Sequence, residues 1–457
     1  MKGRYFCFTI VIRVNQIEVA PGVNLGVDER RENTLENLIK YRESIFRADP
    51  SARVTFALSD AALRDESENF RNIRAQLREY YEKFGDDVTY MLGAFFSAAY
   101  EKRAQICANV HSALCLLKDF MGPEYRPQAI VGGFVASDVI RYIAEVEHIH
   151  VVQGNIFSQY AVDNQDGDGS ICYPYYPSKE HFCKPAQGDE DFIDCVNLDG
   201  WTVDFINATY CGVTKEGYNS RMGCGPIETL RPFGVEKGIE IMLVSADQML
   251  GENFGRNNGF GYATAIWELC LIQRDGHHQM NIDETTVTAF LSALKKKYPD
   301  LKIVPFGEVG ESFRKEQPDN RQLHYEFVHQ GIGFGGSLEN VRLYWYMNKY
   351  FRLCIREDIQ RGTKKVIDFT DYTKQAAEPE DSDYRIGKIQ RNWSLLGDIN
   401  QKGLREQDKP IDFVRLSEAQ KELIGRAEKE FGFTVTLSRW NILFRWFIVS
   451  SDISLST

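Results

Sequence analysis

Residues 150–205 read HVVQGNIFSQYAVDNQDGDGSICYPYYPSKEHFCKPAQGDEDFIDCVNLDGWTVDF, and the rest of the chain is organised around this stretch. It begins with a β-branched run at residues 151–152 and ends in a second apolar segment at residues 195–198. About forty residues without helical or strand periodicity lie between them, and a loop of that length is usually functional or disordered. The loop is rich in aromatic residues, which disordered chains lack. We therefore expect an ordered loop that binds a polar ligand through rings, carboxylates and amides.

The composition is that of a globular protein with two domains. The chain has 457 residues, of which 43% are hydrophobic and 26% are charged. The formal net charge is −11 and the pI is near 5.4. An acidic chain without a basic stripe is a poor partner for a polyanion, so we expect no nucleic acid partner.

The N-terminal residues give the chain a superficial likeness to a secreted protein. The apolar run YFCFTIVI at residues 5–12 follows two basic residues, but Arg13 ends it and no small-x-small cleavage site follows. We interpret the run as a buried strand. Because no segment reaches the ~18 apolar residues that a membrane-spanning helix needs, we expect no membrane span. The expected compartment is the cytoplasm, or the periplasm if the natural N-terminus is longer, and the oligomeric state is not predicted.

Strand-like and helix-like segments alternate through residues 1–317. The predicted strands lie near residues 5–14, 54–58, 88–92, 129–134, 149–152, 195–198, 262–272 and 301–306, with helical spacing between most of them. About eight strands separated by helices favour a (β/α) barrel or a doubly wound sheet. Since no G-x-G-x-x-G follows the first strand, the barrel is the better interpretation.

The residue types and their periodicity change beyond residue 317. Residues 323–328 and 341–355 are rich in aromatic and β-branched residues with a period near two, which predicts antiparallel strands. We expect the barrel at residues 1–317, a β-rich domain at residues 318–433 and a tail without structural assignment at residues 434–457.

Three carboxylates are candidates for catalysis, because active sites of (β/α) barrels lie at the C-terminal ends of the strands. Glu268 interrupts the apolar run ATAIWELCLI, where an unpaired buried carboxylate would be costly. A catalytic group and a salt bridge to an arginine explain it equally well. Asp199 follows the sixth strand, although Asp-Gly is also a common turn pair. Glu18 follows the first strand, where a solvated acid is the alternative.

Amides, rings and further acids stand at the same strand ends or in the long loop, as sugar recognition requires. Amides and acids bind hydroxyl groups, and indole faces cover the C–H faces of pyranose rings. The predicted substrate-binding residues are Asn15, Gln16, Asn155, Gln159, Asp163, Asp168, Tyr175, His181, Trp201, Trp267 and Glu308. We expect residues 154–194 to fold over the barrel mouth, with residues 155–168 lining the cleft.

The spacing of cysteines and histidines predicts no metal site. No C-x-x-C, H-x-x-x-H or H-E-x-x-H occurs. The segment NQDGDG begins like a calcium loop, but Tyr175 stands where the bidentate glutamate belongs, which excludes a complete EF-hand. Several cysteines lie inside hydrophobic runs, where cysteine acts as a small hydrophobe: Cys7, Cys115, Cys270 and Cys354. We expect no cofactor, with a divalent metal as the less favoured option.

Several long strings resemble a family of uncharacterised bacterial proteins described as glycoside hydrolases/deacetylases, which pair two domains of unknown function. The strings are FTIVIRVNQIEV at residues 8–19, VVQGNIFSQYAVDNQDGDGSICYPYYPSKEHFCKPAQ at 151–187, DFIDCVNLDGWTVDF at 191–205, GPIETL at 225–230 and RNWSL at 391–395. The resemblance covers the chain to about residue 431. It implies a seven-stranded, irregular (β/α) barrel of the glycoside hydrolase/deacetylase superfamily and a β-rich C-terminal domain.

The resemblance also bears on mechanism. Related deacetylases hold a metal with an Asp-Asp pair after the first strand and with an H-x-x-x-H motif. Here Asn15-Gln16 follow that strand and the histidine pair is missing, which disfavours deacetylation. The leading hypothesis is a glycoside hydrolase with paired carboxylates, Glu268 and Asp199 first and Glu18 in reserve. A metal-dependent carbohydrate deacetylase and a non-catalytic carbohydrate-binding protein stay open as alternatives.

Overall fold

Strand β1, Gly3–Ile12, lies at the centre of a parallel sheet in the computed structural model of this chain. Residues 6–12 of β1 are all buried, as expected for a strand that is apolar on both faces. The predicted N-terminal strand is therefore confirmed.

The structure describes residues 1–19, 23–95, 101–155, 157, 169–202, 204–208, 223–272, 282–333, 338–381, 400–401 and 418–431.

Strands and helices alternate through the first three quarters of the chain. The other strands there are β2 Asn15–Val19, β3 Val23–Asp28, β4 Thr55–Leu58, β5 Asp87–Tyr90, β6 Ile130–Val131, β7 Val151–Asn155, β8 Val196–Asp199, β9 Phe260–Glu268 and β10 Lys302–Ile303. The helices are α1 Leu35–Ala48, α2 Asp60–Arg64, α3 Glu68–Phe84, α4 Arg103–Met121, α5 Ser137–Glu145, α6 Phe205–Ala208, α7 Pro226–Phe233, α8 Val235–Asp247, α9 Glu284–Lys297 and α10 Phe306–Glu316. This alternation confirms the predicted α/β class.

The parallel strands follow one another in space in the order β9-β1-β4-β5 and then β6-β7-β8. A parallel bridge between Met91 and Val131 joins the two groups. Beyond β8, the backbone N–H of Thr202 donates to the carbonyl of Thr264 on β9 at 3.2 Å. The C-terminal ends of these strands therefore meet at one edge, which is where the sequence places its candidate carboxylates.

Strand β10 is shorter than the sequence predicts. It has two residues, pairs with Tyr5 and Phe6 at the start of β1, and gives way to α10 at Phe306. Pro305 lacks a backbone N–H and precedes the helix, so the ladder cannot continue through it. The predicted strand at residues 301–306 is thus a short bridge followed by a helix.

The C-terminal part is an antiparallel sheet, as predicted. It contains β11 His324–Gln330, β12 Val341–Asn348, β13 Phe351–Asp358, β14 Thr363–Asp371 and β15 Asn400–Gln401 in that spatial order, followed by α11 Glu418–Phe431. Phe327 and Trp345 on one face join the core of the α/β part. Leu353 on the other face packs in a separate cluster with Ile424 of α11. Among the described residues, no helix is long and apolar enough to cross a membrane.

The described part of the long loop is packed into the protein and does not project into solvent. Tyr175 forms an antiparallel bridge with Asn197 of β8. Tyr173 packs edge-on against Phe260 at the start of β9 and against Phe327 of the C-terminal sheet. Its hydroxyl accepts the backbone N–H of Tyr262 at 3.0 Å. The loop thus joins β8, β9 and the second sheet, and its predicted order is confirmed for residues 169–194.

Candidate functional site

Asp199 ends strand β8 and is 2% exposed. Its carboxyl oxygens accept the backbone N–H of Trp201 at 2.8 Å and that of Phe157 at 3.0 Å. Both donors come from the segments that leave β8 and β7, so local backbone geometry fixes the carboxyl group. Burial raises the pKa of Asp199 well above its ordinary value, although the backbone N–H donors act in the opposite direction. The group can therefore hold a proton at a pH where an ordinary aspartate is ionised.

Asn155 lies next to Asp199, because the two residues are partners in the β7–β8 register. It is fully buried, and its side-chain N–H group donates to Ser170 Oγ at 2.9 Å. Its side-chain oxygen has no hydrogen-bond partner among the described residues, and the same holds for the side-chain oxygen of Gln153 two residues earlier. Buried oxygens without donors are costly. With respect to the described residues, both oxygens have capacity to accept a hydroxyl group of a ligand or a water molecule.

Glu268 ends strand β9 and its side chain is 13% exposed. One carboxylate oxygen lies 3.3 Å from Nη2 of Arg13, the residue after β1. Glu29 accepts from Nε and from the same Nη2 of that guanidinium, at 2.7 and 2.8 Å. Burial alone would lower the pKa of Arg13, but the charges of Glu29 and Glu268 raise it, so Arg13 is a fixed cation. The ion-pair alternative for Glu268 is therefore present in the structure.

The end of β8 packs against the face of β9 that carries Glu268. Trp267 stacks on Phe290 of α9 with ring centroids 5.9 Å apart, so it faces the helices. Because side chains alternate along a strand, Ile266 and Glu268 face the opposite side. A Cβ added at Gly200, next to Asp199, would lie 3.4 Å from Ile266 Cδ1. The structure thus brings Asp199, Asn155 and the Glu268 face of β9 together.

Glu18 is occupied by hydrogen bonds inside the protein. Its carboxylate accepts the backbone N–H groups of Val14, Asn15 and Ala61 and the hydroxyl of Ser59, at 2.7 to 3.2 Å. It is 6% exposed. These contacts tie the end of β1 to the start of α2, so the geometry assigns Glu18 a structural role.

Two amides predicted to bind substrate lie in the β2–β3 hairpin that follows β1. Asn15 begins β2, is buried, and pairs with Asp28. Gln16 lies against the hairpin partner strand, since a Cβ added at Gly26 would be 2.5 Å from its side-chain oxygen. Both positions are close to Arg13 in the chain and stay candidates for the mouth of the site.

Tyr175 and His181 are held inside the long loop. The Tyr175 hydroxyl donates to the carbonyl of Phe182 at 2.6 Å and accepts from Asn197 Nδ2 at 3.1 Å. His181 Nδ1 accepts the backbone N–H of Cys183 at 3.1 Å. Both residues are at most 2% exposed. They shape the loop beside β8, and their predicted ligand contacts stay predictions.

The remaining predicted residues fall in three different places. Trp201 is half-buried two residues after Asp199, at the proposed site. Trp267 is fully buried on the helix side of the sheet, where its Nε1 donates to the carbonyl of Cys224 at 3.0 Å. Glu308 lies at the opposite end of the sheet, 2.6 Å from Nη1 of Arg53, which precedes β4. The expectation that Trp267 and Glu308 stand at the same rim is wrong, because β-alternation and the short β10 direct them elsewhere.

Gln159, Asp163 and Asp168 lie outside the described residues. Arg13 and Glu29 were missed by the sequence reasoning, although a charged residue directly after a buried strand was an available signal. Gln153 of β7 also reaches β9, because its side-chain N–H group donates to Thr264 Oγ1 at 3.2 Å.

Within the described part of the chain, no group of three or more His, Cys, Asp or Glu side chains comes together as metal ligands. The donors at the strand ends do not fit a metal centre of the deacetylase type. Glu18 is already occupied by four donors, and Asn15-Gln16 supply amides where such sites use two aspartates.

Comparison with known proteins supports the architecture. Residues 1–347 match the model of a Domain of Unknown Function with a solved structure, DUF3863, and residues 352–431 match that of DUF3864. The crystal structure of a "putative glycoside hydrolase/deacetylase" from Parabacteroides distasonis is 39% identical, with a TM-score of 0.87. The match covers 94% of this chain and 98% of that chain. No relative is found among curated proteins.

Weaker structural likenesses extend to two more distant proteins. A "probable Polysaccharide deacetylase" from Pseudomonas aeruginosa PAO1 is 11% identical with a TM-score of 0.43, covering 69% of this chain and 92% of that chain. A GH57 branching enzyme from Thermococcus kodakaraensis is 11% identical with a TM-score of 0.41, covering 69% and 72%. At this level the likeness carries no argument about activity.

Proposed function

Because this chain belongs to the family of paired domains DUF3863 and DUF3864, we propose that it is a carbohydrate-active hydrolase that cleaves glycosidic bonds with two carboxyl groups. Asp199 is the general acid, and Glu268 is the base or nucleophile. In this proposal the parallel strands belong to an irregular barrel, and its mouth holds both carboxyl groups. The relative that is 39% identical carries the name "putative glycoside hydrolase/deacetylase", which supports a carbohydrate substrate.

The observation that carries the proposal is the state of Asp199. Its carboxyl group is buried at a strand end, its pKa is raised well above the ordinary value, and its described contacts are backbone N–H groups. A carboxyl group that keeps its proton can protonate the leaving oxygen of a glycosidic bond. Glu268, with its negative charge beside Arg13, supplies the complementary group.

The two carboxyl groups suit the division of roles found in glycosidases. A separation of ~5 Å in the substrate complex would give retention, and ~6.5–9.5 Å would give inversion through a water molecule. Asn155 and Gln153 offer side-chain oxygens that accept no hydrogen bond from the described residues and can accept sugar hydroxyls. Trp201 supplies a ring face two residues after the acid.

The test is a screen of the full chain against a panel of polysaccharides, followed by substitution. Asp199→Asn and Glu268→Gln should each lower kcat/KM by on the order of 10²–10⁴-fold, because each removes a proton-transfer or nucleophilic group. In the wild type, the rate should fall as the pH rises through the raised pKa of Asp199, since only the protonated acid donates.

Asp87→Asn is the matched control. Asp87 is also a buried carboxyl group, its pKa is raised to about 6 by burial, and it starts β5 at the opposite end of the sheet. Asp87→Asn should lower the free energy of unfolding and leave kcat/KM unchanged. Full activity in both site variants would show the assignment to be wrong. Glycan binding without turnover would favour a binding protein, and activity that requires an added divalent metal would favour deacetylation.

A further inference from the structure

A cysteine and a histidine on one side of helix α4 form a connected group with a glutamate that follows α5, away from the strand ends. Cys115 Sγ lies 3.9 Å from Nε2 of His111, one helical turn earlier. His111 Nδ1 lies 2.9 Å from Oε1 of Glu147, which follows α5. The Tyr142 hydroxyl donates to the same glutamate oxygen at 2.7 Å. The four side chains form one connected array.

The array fixes which nitrogen of the imidazole carries the proton. A carboxylate can only accept, so the Nδ1 atom that faces Glu147 must be the donor. The lone pair of Nε2 then points at the thiol of Cys115. Transfer of the thiol proton to Nε2 gives a thiolate beside an imidazolium, and the charge of Glu147 stabilises the imidazolium. This is the arrangement that activates a cysteine nucleophile.

Accessibility distinguishes Cys115 from the other cysteines. Of the nine cysteines that the structure describes, Cys115 alone is exposed. This corrects the expectation that Cys115 is a buried small hydrophobe, because its position on α4 points away from the sheet. Cys107, two turns earlier on the same helix, has its pKa raised to about 11 by burial and by the charge of Asp138. Cys107 is therefore an internal reference for an unactivated thiol.

We propose that Cys115 is a reactive thiol that exchanges with low-molecular-weight disulfides, with His111 as its base and Glu147 as the residue that positions His111. The Cys115 thiolate attacks one sulfur of the disulfide and forms a new S–S bond to it. The original S–S bond breaks, and its other sulfur leaves as a thiolate that takes up a proton. The product is a mixed disulfide at Cys115. This site does not depend on the proposed glycosidase activity.

The experiment follows the reaction of the full chain with dithiobis(nitrobenzoate), with peptide mass spectrometry to separate Cys115 from Cys107. At neutral pH, Cys115 should react at least roughly tenfold faster in the wild type than in His111→Ala. The dependence of the rate on pH should differ between the wild type and His111→Ala, because only the wild type has an imidazole that takes the thiol proton.

Glu147→Gln tests the positioning role, and Glu145→Gln is its charge-matched control. Glu145 is exposed at the end of α5, so its loss changes the same net charge without touching His111. Glu147→Gln should slow the reaction of Cys115 with the reagent and change how that rate depends on pH. Glu145→Gln should leave the rate and its pH dependence unchanged. The proposal is overturned if Cys115 reacts at the same rate, with the same pH profile, in all four proteins. It is also overturned if Cys107 reacts as fast as Cys115.

Discussion

At the scale of single residues, two buried carboxylates near the same strand ends differ in what surrounds them. Among the described residues, the donors to the Asp199 carboxyl group are backbone N–H groups, and burial keeps its pKa high. Glu18 receives four donors, three backbone N–H groups and the Ser59 hydroxyl, and three of the four go to the same oxygen. A carboxylate held by that many donors is poorly placed to exchange a proton with a substrate. The partners, and not the residue type, therefore select Asp199 for chemistry.

Replacing Glu18 should reveal its structural role. Glu18→Gln puts an N–H₂ group where a carboxylate oxygen now accepts hydrogen bonds, so buried donors of the β1 and α2 ends lose their partner. We expect the free energy of unfolding, measured by urea denaturation, to fall by about 1–3 kcal/mol. Glu82→Gln, in an exposed i,i+4 pair with Arg78, is the control and should change little. Equal stability of the two variants would contradict the assignment.

At the scale of elements, α10 packs unusually close to β7. A Cβ added at Gly310 of α10 would lie 2.4 Å from Val151 Cγ1. One at Gly307 would lie 2.5 Å from the Cβ of Gln128. Distances below 3 Å cannot be accommodated without moving the helix. These two glycines therefore set how closely α10 approaches the start of β7 and the segment before β6, at the end of the sheet opposite the candidate site.

The pair Gly310→Ala and Gly425→Ala tests this contact. Gly310→Ala should lower the free energy of unfolding by about 1–3 kcal/mol, because the added methyl group overpacks the helix–strand interface. Gly425 is exposed on α11, and an added Cβ would meet nothing within 4 Å. Gly425→Ala should raise stability by about 0.5–1 kcal/mol through helix propensity. Thermal or urea unfolding of both variants measures these changes, and we expect them to have opposite signs. A loss of stability in Gly425→Ala would contradict the helix α11 as described.

At the scale of the whole molecule, buried polar contacts hold the C-terminal sheet to the α/β part. Arg352 of β13 forms a fully buried pair with Asp368 of β14 and donates to the carbonyl of Ser170 in the long loop at 2.9 Å. His329 of β11 lies 2.7 Å from Glu252 and 3.8 Å from Asp204, which follows β8. The family-model boundary between residues 347 and 352 falls inside this sheet, between β12 and β13.

The His329 contact should make stability depend on pH. Burial acts to lower the pKa of His329, but the hydrogen bond to Glu252 and the charge of Asp204 outweigh it and raise the pKa. Because the folded pKa is raised, this stabilisation is fully present below the unfolded pKa of about 6.5. It is lost as the pH rises through the folded value.

The measurement is urea unfolding of the wild type and His329→Gln from pH 5.5 to 9. The difference in unfolding free energy between the two proteins isolates the histidine from other titrating groups. We expect the wild type to be more stable at the acid end and the difference to shrink towards the alkaline end. A difference that stays constant with pH would show that His329 does not titrate against Glu252 and Asp204.

The sequence by itself determined the alternating strands and helices, the antiparallel C-terminal sheet and the position of Asp199 and Glu268 at strand ends. These features depend on short-range periodicity and on the apolar runs of β1 and β9, which are visible within a few residues. The order of the long loop also followed from its composition, since its rings had to be buried somewhere. The strings at residues 8–19 and 151–187 carried the family resemblance.

Only the tertiary structure decided which of these residues act together. The Arg13 contact with Glu268 joins residues 255 positions apart, and no local pattern encodes such a pair. Trp267 faces the helices because of its phase in β9, and Glu308 lies at the far end because β10 pairs with the start of β1. The raised pKa of Asp199 likewise comes from burial by β7, β9 and the loop. Charge partners and solvent exclusion arise from distant segments in contact, so they exist only in the folded chain.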